Sequence, residues 1–168
     1  MAWTTPGTAV AGDVLTAAFW NQQVRDNSLE LAPFFSAWTS YTPVVEQVSA
    51  RTATIQNARY LIVGKRIRVN ASMTITQAGT AGQHIAVSLP TALVSRITGN
   101  DHAVGSFFYQ RLAGTRYAGT ARIAVGFTGS SKLIFISGSA GTSVLGIDPS
   151  IATVNGDIFS FTVEYEIS

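Results

Sequence analysis

The sequence predicts a mainly β protein in which an extended arm and a short α-helix precede an antiparallel β-sandwich of the jelly-roll type. Alternating apolar and polar residues recur after residue 65, and this period of two is that of a strand with one buried face. Glycine and proline separate these stretches at short intervals, as in sandwiches rather than in folds with crossover helices. An apolar repeat of helical spacing is confined to the region near the start.

The composition predicts one compact domain that associates with copies of itself. The 168 residues are enough to bury about 70% of the surface of the unfolded chain. Charged residues make up 12% of the chain, against about 25% in an average soluble domain, and 46% of the chain is hydrophobic. This composition excludes disorder, and so few charges leave apolar surface for an oligomer to cover.

The residue counts also exclude or disfavour several classes of protein. The chain has no cysteine, which excludes disulfides, cysteine zinc sites and thiol nucleophiles. Its net charge of +2 is too small to indicate a nucleic-acid partner. The sequence has neither a secretory signal nor the run of about 18 apolar residues that spans a membrane. We therefore expect a product that stays in the cytosol of the cell that makes it.

Residues 1–40 are predicted to form an attachment segment. Residues 1–13 read as an arm, anchored by Trp3 and containing Pro6. A helix is expected to begin at the N-cap Thr16 and to end before Pro33. Its apolar seam, spaced 3, 4, 3 and 4 residues apart, consists of Ala17, Trp20, Val24, Asn27 and Leu31. Two packings stay open, namely a bundle of helices from several copies and a helix folded onto its own β domain.

Residues 41–168 are predicted to form the β-sandwich. The stretch 66–76 alternates strictly and should bury Ile67, Val69, Ala71, Met73 and Ile75. The last stretch should likewise bury Phe159, Phe161, Val163, Tyr165 and Ile167. The segment Val154-Asn155-Gly156-Asp157 predicts a tight hairpin turn, because Asn-Gly tolerates positive φ at both central positions.

Charges are distributed unevenly along the chain. No acidic residue occurs between Glu46 and Asp101, although six basic residues do, and no basic residue follows Lys132. One explanation is that the basic middle and the acidic end meet across neighbouring strands or subunits. The other is a basic face that meets an acidic partner.

We expect no catalytic, cofactor or metal site. His84 and His102 have no further ligands at metal-binding spacing, and no Gly-x-Ser-x-Gly elbow supports a serine triad. Glu164 and Glu166 could be the carboxylate pair of a glycosidase, but pairing with Arg66 and Arg68 is the simpler explanation.

Consecutive aromatic residues suggest an outward contact. In a strand, at least one of Phe107, Phe108 and Tyr109 must point away from the core, beside Gln110 and Arg111. An outward aromatic with amide and guanidinium neighbours can stack on a sugar ring or pack in a subunit interface. Both interpretations stay open.

The amino-terminal motifs resemble a known group of viral proteins. They are Trp3-Thr4-Thr5-Pro6, Ala11-Gly12-Asp13-Val14-Leu15-Thr16-Ala17-Ala18, Trp20-Asn21 and Val24-Arg25-Asp26-Asn27. This opening is similar to that of small structural proteins of tailed bacteriophages, especially phages of actinobacteria, which are minor tail, fibre or head decoration proteins. Degenerate body motifs such as Tyr41-Thr42-Pro43 and Ser88-Leu89-Pro90 occur in the same order.

The resemblance implies a homotrimeric virion component, made in the host cytoplasm and located in the virion. Its partners would be its own copies and phage capsid or tail proteins. Attachment and oligomerisation would depend on Trp3, Pro6, Ala17, Trp20, Val24, Asn27 and Leu31, and the β body would face outward. The alternative function is a carbohydrate-binding module of the tail that recognises a host surface glycan through residues 107–111.

Overall fold

The computed structural model of the chain describes residues 16–26, 28–29, 37–90, 102–123, 132–137 and 143–167. A short α-helix, α1 (Ala17–Trp20), is followed by a π-helix (Asn21–Asp26). The remaining elements are strands: β1 (Thr39–Ser40), β2 (Val45–Gln47), β3 (Ser49–Arg51), β4 (Ala53–Val63), β5 (Arg66–Ile75), β6 (Ala86–Ser88), β7 (His102–Gln110), β8 (Arg116–Ile123), β9 (Lys132–Ser137), β10 (Ser143–Val144) and β11 (Ile158–Glu166). The prediction of a mainly β, antiparallel fold is confirmed.

The strands join in one sheet that curls like half of a barrel. Their order is β1-β4-β5-β11-β7-β8-β9-β6-β2-β3, and β10 pairs with β9. Phe135 on β9 lies 4.5 Å from Phe159 on β11 between ring centroids, although two strands separate β9 from β11 in the sheet. In a flat sheet these strands would be about 14 Å apart, so this contact reflects the curl. A division into two jelly-roll sheets stays a prediction.

The alternating stretches bury the faces that the sequence predicts. On β5 the five expected residues from Ile67 to Ile75 are buried, and on β11 so are Phe159, Phe161, Val163 and Tyr165. Ile167, just beyond β11, is partly buried against the same core. Full burial of such a side chain stabilises the fold by roughly 1.5 to 3 kcal/mol. The pairing of β5 with β11 therefore places much of the core on two neighbouring strands.

The uneven charges meet across the pairing of β5 with β11. The register sets Glu164 opposite Arg68 and Glu166 opposite Arg66. Arg66 Nη1 lies 3.4 Å from Glu164 Oε1. Both side chains are more than half exposed, so the ion pair contributes at most about 1 kcal/mol. At these residues the charges pair within the chain, as the first explanation of the charge pattern requires.

The helix is less regular than predicted. It begins as expected, because Thr16 Oγ1 accepts a hydrogen bond of 3.2 Å from the amide of Phe19. After Trp20 the α period gives way to the π-helix, and Ser28 and Leu29 are again α-helical, whereas Leu31 lies outside the described residues. No residue of α1 is buried. A helix without packing is marginal, and no contact given by the described residues imposes the α period on it.

The turn before β11 differs from the predicted hairpin. The amide of Asp157 donates a 3.2 Å hydrogen bond to the carbonyl of Val154, so a tight turn is present. Of the two central residues only Gly156 has positive φ, at 95°, which is the requirement of a type II turn rather than a type I′ turn. The residues before the turn belong to no strand, so the turn leads into β11 without closing a hairpin.

Gln47, at the end of β2, connects this strand to two loops that are distant from it in the sequence. Its side chain is fully buried. Nε2 donates to the carbonyls of Gln83 at 2.9 Å and Ile151 at 2.7 Å. Oε1 accepts from the amides of Thr80 at 3.2 Å and Thr153 at 3.1 Å. One amide side chain thus satisfies four backbone groups of two loops that the sheet does not pair.

Replacing Gln47 with leucine should strongly destabilise the fold. The substitution keeps the approximate volume but removes the partners of four backbone groups, and each unsatisfied buried group costs about 1 to 3 kcal/mol. We expect urea denaturation to give a free energy of unfolding lower by at least about 3 kcal/mol. In the control Gln56→Leu, an exposed side chain loses one hydrogen bond to Thr74, and the loss should stay below about 1 kcal/mol. Equal losses in the two variants would contradict this role of Gln47.

Candidate functional site

The predicted attachment residues are only partly within the described part of the chain. Trp3, Pro6, Asn27 and Leu31 lie outside it. Ala17 is exposed, and the side chains of Trp20 and Val24 are 57% and 41% exposed. Leu29, which follows in the same segment, is 51% exposed. The described seam residues are therefore not covered by their own β domain.

The structure separates the predicted aromatic contact residues. Phe107 and Tyr109 are buried in the core, with 4% and 0% exposure, so the prediction of an outward contact is wrong for these two. Phe108 points to the opposite face and is 38% exposed. Gln110 and Arg111 are half-buried. Phe107 is directed inward because it lies opposite Phe161 in the register of β7 and β11 and packs on Phe159.

The outer face around Phe108 is built from four neighbouring strands. In one row across the sheet, Ser72 of β5 lies opposite Ser160 of β11, which lies opposite Phe108 of β7. In the next row, Asn70 of β5 lies opposite Thr162 of β11, which lies opposite Ser106 of β7. Asn57 of β4, beside the bulge in that strand, extends the first row. Each position alternates with a buried residue, so the core fixes which side chains face outward.

These outward side chains line a shallow depression of about 260 Å³, called the outer groove below. In the first row, the short side chains of two serines lie between Asn57 at one end and Phe108 at the other. The outer-face residues that line it are Asn57, Asn70, Ser72, Ser106, Phe108, Ser160 and Thr162. At ordinary strand and residue spacings, the two rows cover about 14 Å by 7 Å. None of the outer-groove residues is ionisable.

Most polar side chains of the outer groove have unused hydrogen-bonding capacity. Thr162 Oγ1 donates to Asn70 Oδ1, and Asn70 Nδ2 has no acceptor among the described residues. Within the described ranges, the side chains of Asn57, Ser72, Ser106 and Ser160 have no hydrogen-bond partner. Amides and hydroxyls both donate and accept hydrogen bonds. The outer groove thus offers both functions to a ligand beside one apolar ring.

A buried tyrosine and aspartate hold β7 in place beneath this face. The hydroxyl of Tyr109 donates to Asp157 Oδ2, and the amide of Leu112 donates to Asp157 Oδ1 at 2.9 Å. Asp157 Oδ2 also accepts from the amide of Val154 at 2.8 Å. The fully buried carboxylate therefore connects the end of β7 with the turn that precedes β11. The sequence gives no signal for this role, because an aspartate after Asn-Gly indicates only a turn.

Burial affects the acidity of three tyrosines. Desolvation raises the pKa of Tyr109, and its hydrogen bond to Asp157 raises that pKa further. Desolvation likewise raises the pKa of Tyr41 and of Tyr165. The hydroxyl of Tyr41 is buried and, among the described residues, has no hydrogen-bond partner. All three tyrosines are therefore held in their neutral form by the fold.

The other candidate residues do not assemble into a reactive site. His84 is half-buried, and His102 is exposed at the start of β7. In the described ranges, no three histidine, aspartate or glutamate side chains come together to hold a metal ion. Glu164 and Glu166 lie with Arg66 at the outer surface, as the charge pairing requires. None of the helices in the described ranges has the length and apolar character needed to cross a membrane.

Comparison with known proteins gives no assignment: no protein-family model, curated protein or solved structure matches this chain. A functional conclusion therefore rests on the residues and their arrangement.

Two tyrosine-to-phenylalanine variants should have different effects at neutral pH. Tyr109→Phe removes a donor from the buried carboxylate of Asp157 and should reduce the free energy of unfolding by about 1.5 to 3 kcal/mol. Tyr41→Phe removes a buried hydroxyl without a partner, so stability should be unchanged or slightly higher. Urea denaturation at pH 7 measures both changes. A destabilised Tyr41→Phe variant together with an unaffected Tyr109→Phe variant would refute this assignment.

Stability should also fall in alkaline solution. Unfolded tyrosine loses its proton near pH 10, whereas the folded chain keeps Tyr41, Tyr109 and Tyr165 protonated to higher pH. Above pH 10 the unfolded state binds fewer protons, so the contribution is complete below pH 10 and is lost as the pH rises further. The free energy of unfolding measured from pH 8 to 11.5 should decrease mainly above pH 10. Tyr41→Phe should make that decrease less steep, and an unchanged slope would contradict the prediction.

Proposed function

We propose that this chain is a non-enzymatic structural protein of a tailed-bacteriophage virion, of the head or tail fibre or decoration type. In this proposal residues 1–40 attach the protein to the particle and to its sibling copies. Residues 41–168 form the displayed body. The resemblance of the amino-terminal motifs to phage structural proteins supports the viral assignment.

The observation that carries the proposal is the exposure of three apolar side chains in the amino-terminal segment. Trp20, Val24 and Leu29 are each more than 40% exposed, although tryptophan and leucine side chains are usually well buried. Association of three copies would remove these side chains from water. Each large side chain that becomes fully buried contributes roughly 1.5 to 3 kcal/mol. A segment that is marginal alone would thus be stabilised by its partners.

Self-association also agrees with the character of the whole chain. Only 12% of the residues are charged, which leaves few ionic groups to keep separate copies apart. The number three comes from the resemblance, and the jelly-roll-like sandwich is part of the same proposal. The contact of Phe135 with Phe159 across the curled interior supports two facing halves. The terminal strands β1 and β3 are two and three residues long, which limits uncontrolled edge pairing.

Attachment through the arm would gain strength from the number of copies. Trp3 and Pro6 would contact a capsid or tail protein, and each contact can be weak. Linking several binding segments raises the effective concentration of the second and third, so avidity exceeds the affinity of one arm. The protein would accordingly be located in the virion.

Charged substitutions in the apolar seam should release monomers. Trp20→Asp would place a carboxylate in the proposed helix interface, where desolvating an unpaired charge is costly. Sedimentation equilibrium should give three times the 17.8 kDa chain mass for the unchanged protein and the single mass for the variant. Ala18→Asp is the matched control, because Ala18 is exposed and lies off the seam. A Trp20→Asp protein that stays trimeric would show that the segment is not the oligomer interface.

The virion assignment is tested by finding the protein in particles. Phage particles that encode this chain are purified, separated into heads and tails, and examined with an antibody against residues 41–168. We expect the chain in one of the two fractions, at a copy number divisible by three. Its absence from both fractions, when it is detected in the infected-cell lysate, would overturn the proposal.

A further inference from the structure

We infer that the outer groove binds a neutral glycan. This site goes beyond the proposed virion role and does not depend on it, because it is argued from the surface of the β body alone. It also differs from the contact that the sequence predicts, since of residues 107–111 only Phe107 and Phe108 line it, and the side chain of Phe107 is buried in the core. The remaining outer-groove residues come from β4, β5 and β11 and from Ser106 of β7.

The absence of charge in the outer groove favours a neutral ligand. Its outward side chains are amides, hydroxyls and one phenyl ring. Two cations flank the groove in register. Arg59 lies opposite Asn70, and its guanidinium lies 4.9 Å from the centre of the Trp38 ring. Arg68 precedes Asn70 by two residues on β5 and lies opposite Glu164. The ion pair of Arg66 with Glu164 lies beyond the groove and is internally balanced. A phosphate, sulfate or carboxylate ligand would therefore find no cation in the outer groove.

The arrangement of apolar and polar groups fits a sugar ring. A pyranose ring presents carbon-bound hydrogens on one face and hydroxyls around its rim. The 38% exposed ring of Phe108 can contact the apolar face, while the serine hydroxyls and the Asn70 amide are within the same depression. Sugar hydroxyls both donate and accept, and so do these side chains. An apolar peptide segment would instead leave these polar groups without partners.

The size of the depression predicts that one copy of the protein binds a sugar weakly. Its volume of about 260 Å³ is below the roughly 300 to 1,000 Å³ of typical small-molecule sites. A site of this kind holds one or two sugar units and leaves much of them in water. We expect a dissociation constant in the millimolar range for one monosaccharide, so a multivalent probe is required.

The experiment uses the full chain, labelled and presented on beads, on a glycan array. The array carries neutral glycans of glucose, galactose, mannose and N-acetylglucosamine, with sialylated and sulfated glycans as charged probes. We expect binding to at least one neutral glycan and a tenfold or greater loss for Phe108→Ala. Ser160→Arg fills the outer groove from an outward position and should cause the same loss. The matched control is Ile158→Ala, which removes a 40% exposed apolar side chain from the same face, outside the groove.

Each outcome decides the inference once thermal midpoints confirm that the variants fold. Loss of neutral-glycan binding in Phe108→Ala and Ser160→Arg, with binding retained in Ile158→Ala, supports the site. Binding that is unchanged in both groove variants places the glycan elsewhere and overturns the site. So does an equal loss in Ile158→Ala, which indicates a nonspecific apolar contact. Binding to charged glycans only, or to none, overturns the ligand class.

Discussion

The position of β11 is the constraint on which the rest of the fold depends. This strand, the last in the chain, pairs with β5 on one side and with β7 on the other. Its inward residues Phe159 and Phe161 contribute to the aromatic core, and its outward residues Ser160 and Thr162 line the outer groove. A slip of one residue in its register would exchange the two sets. Core and groove are therefore specified together, and both require pairing between residues distant in sequence, which is slow to form.

Local periodicity was enough to predict the parts of the fold that obey it. The alternation in β5 and β11 identifies their buried faces without knowledge of any partner strand. The charge pattern also predicts which strands pair. Arg66 and Arg68 on one strand have the same spacing as Glu164 and Glu166 on another, so the two sets can lie opposite each other. Gln47 gives no such signal. It is a polar residue in a three-residue strand, and its role depends on backbone groups more than 30 residues away.

The candidate site shows the same division between local and distant information. Three consecutive aromatic residues require at least one outward side chain, but which one depends on the parity set by the pairing of β7 with β11. Asn70 and Ser106 become neighbours only through Thr162 of β11, and no spacing in the sequence relates them.

The reversal between β2 and β3 is also hidden in the sequence. Val48, the single residue between these strands, has a φ of 72°, which β-branched residues rarely adopt, so no turn residue marks this reversal.

The two proposals are linked by the scarcity of charge. A neutral groove cannot attract its ligand over long distances, because electrostatic steering requires complementary charge. Its affinity must come from short-range contacts, and a depression as shallow as the outer groove offers few of them. A millimolar site corresponds to only about −4 kcal/mol, whereas linking several such sites can strengthen attachment by factors of about 10² to 10⁴. A glycan-binding face of this kind therefore becomes effective when the amino-terminal segment holds several copies together.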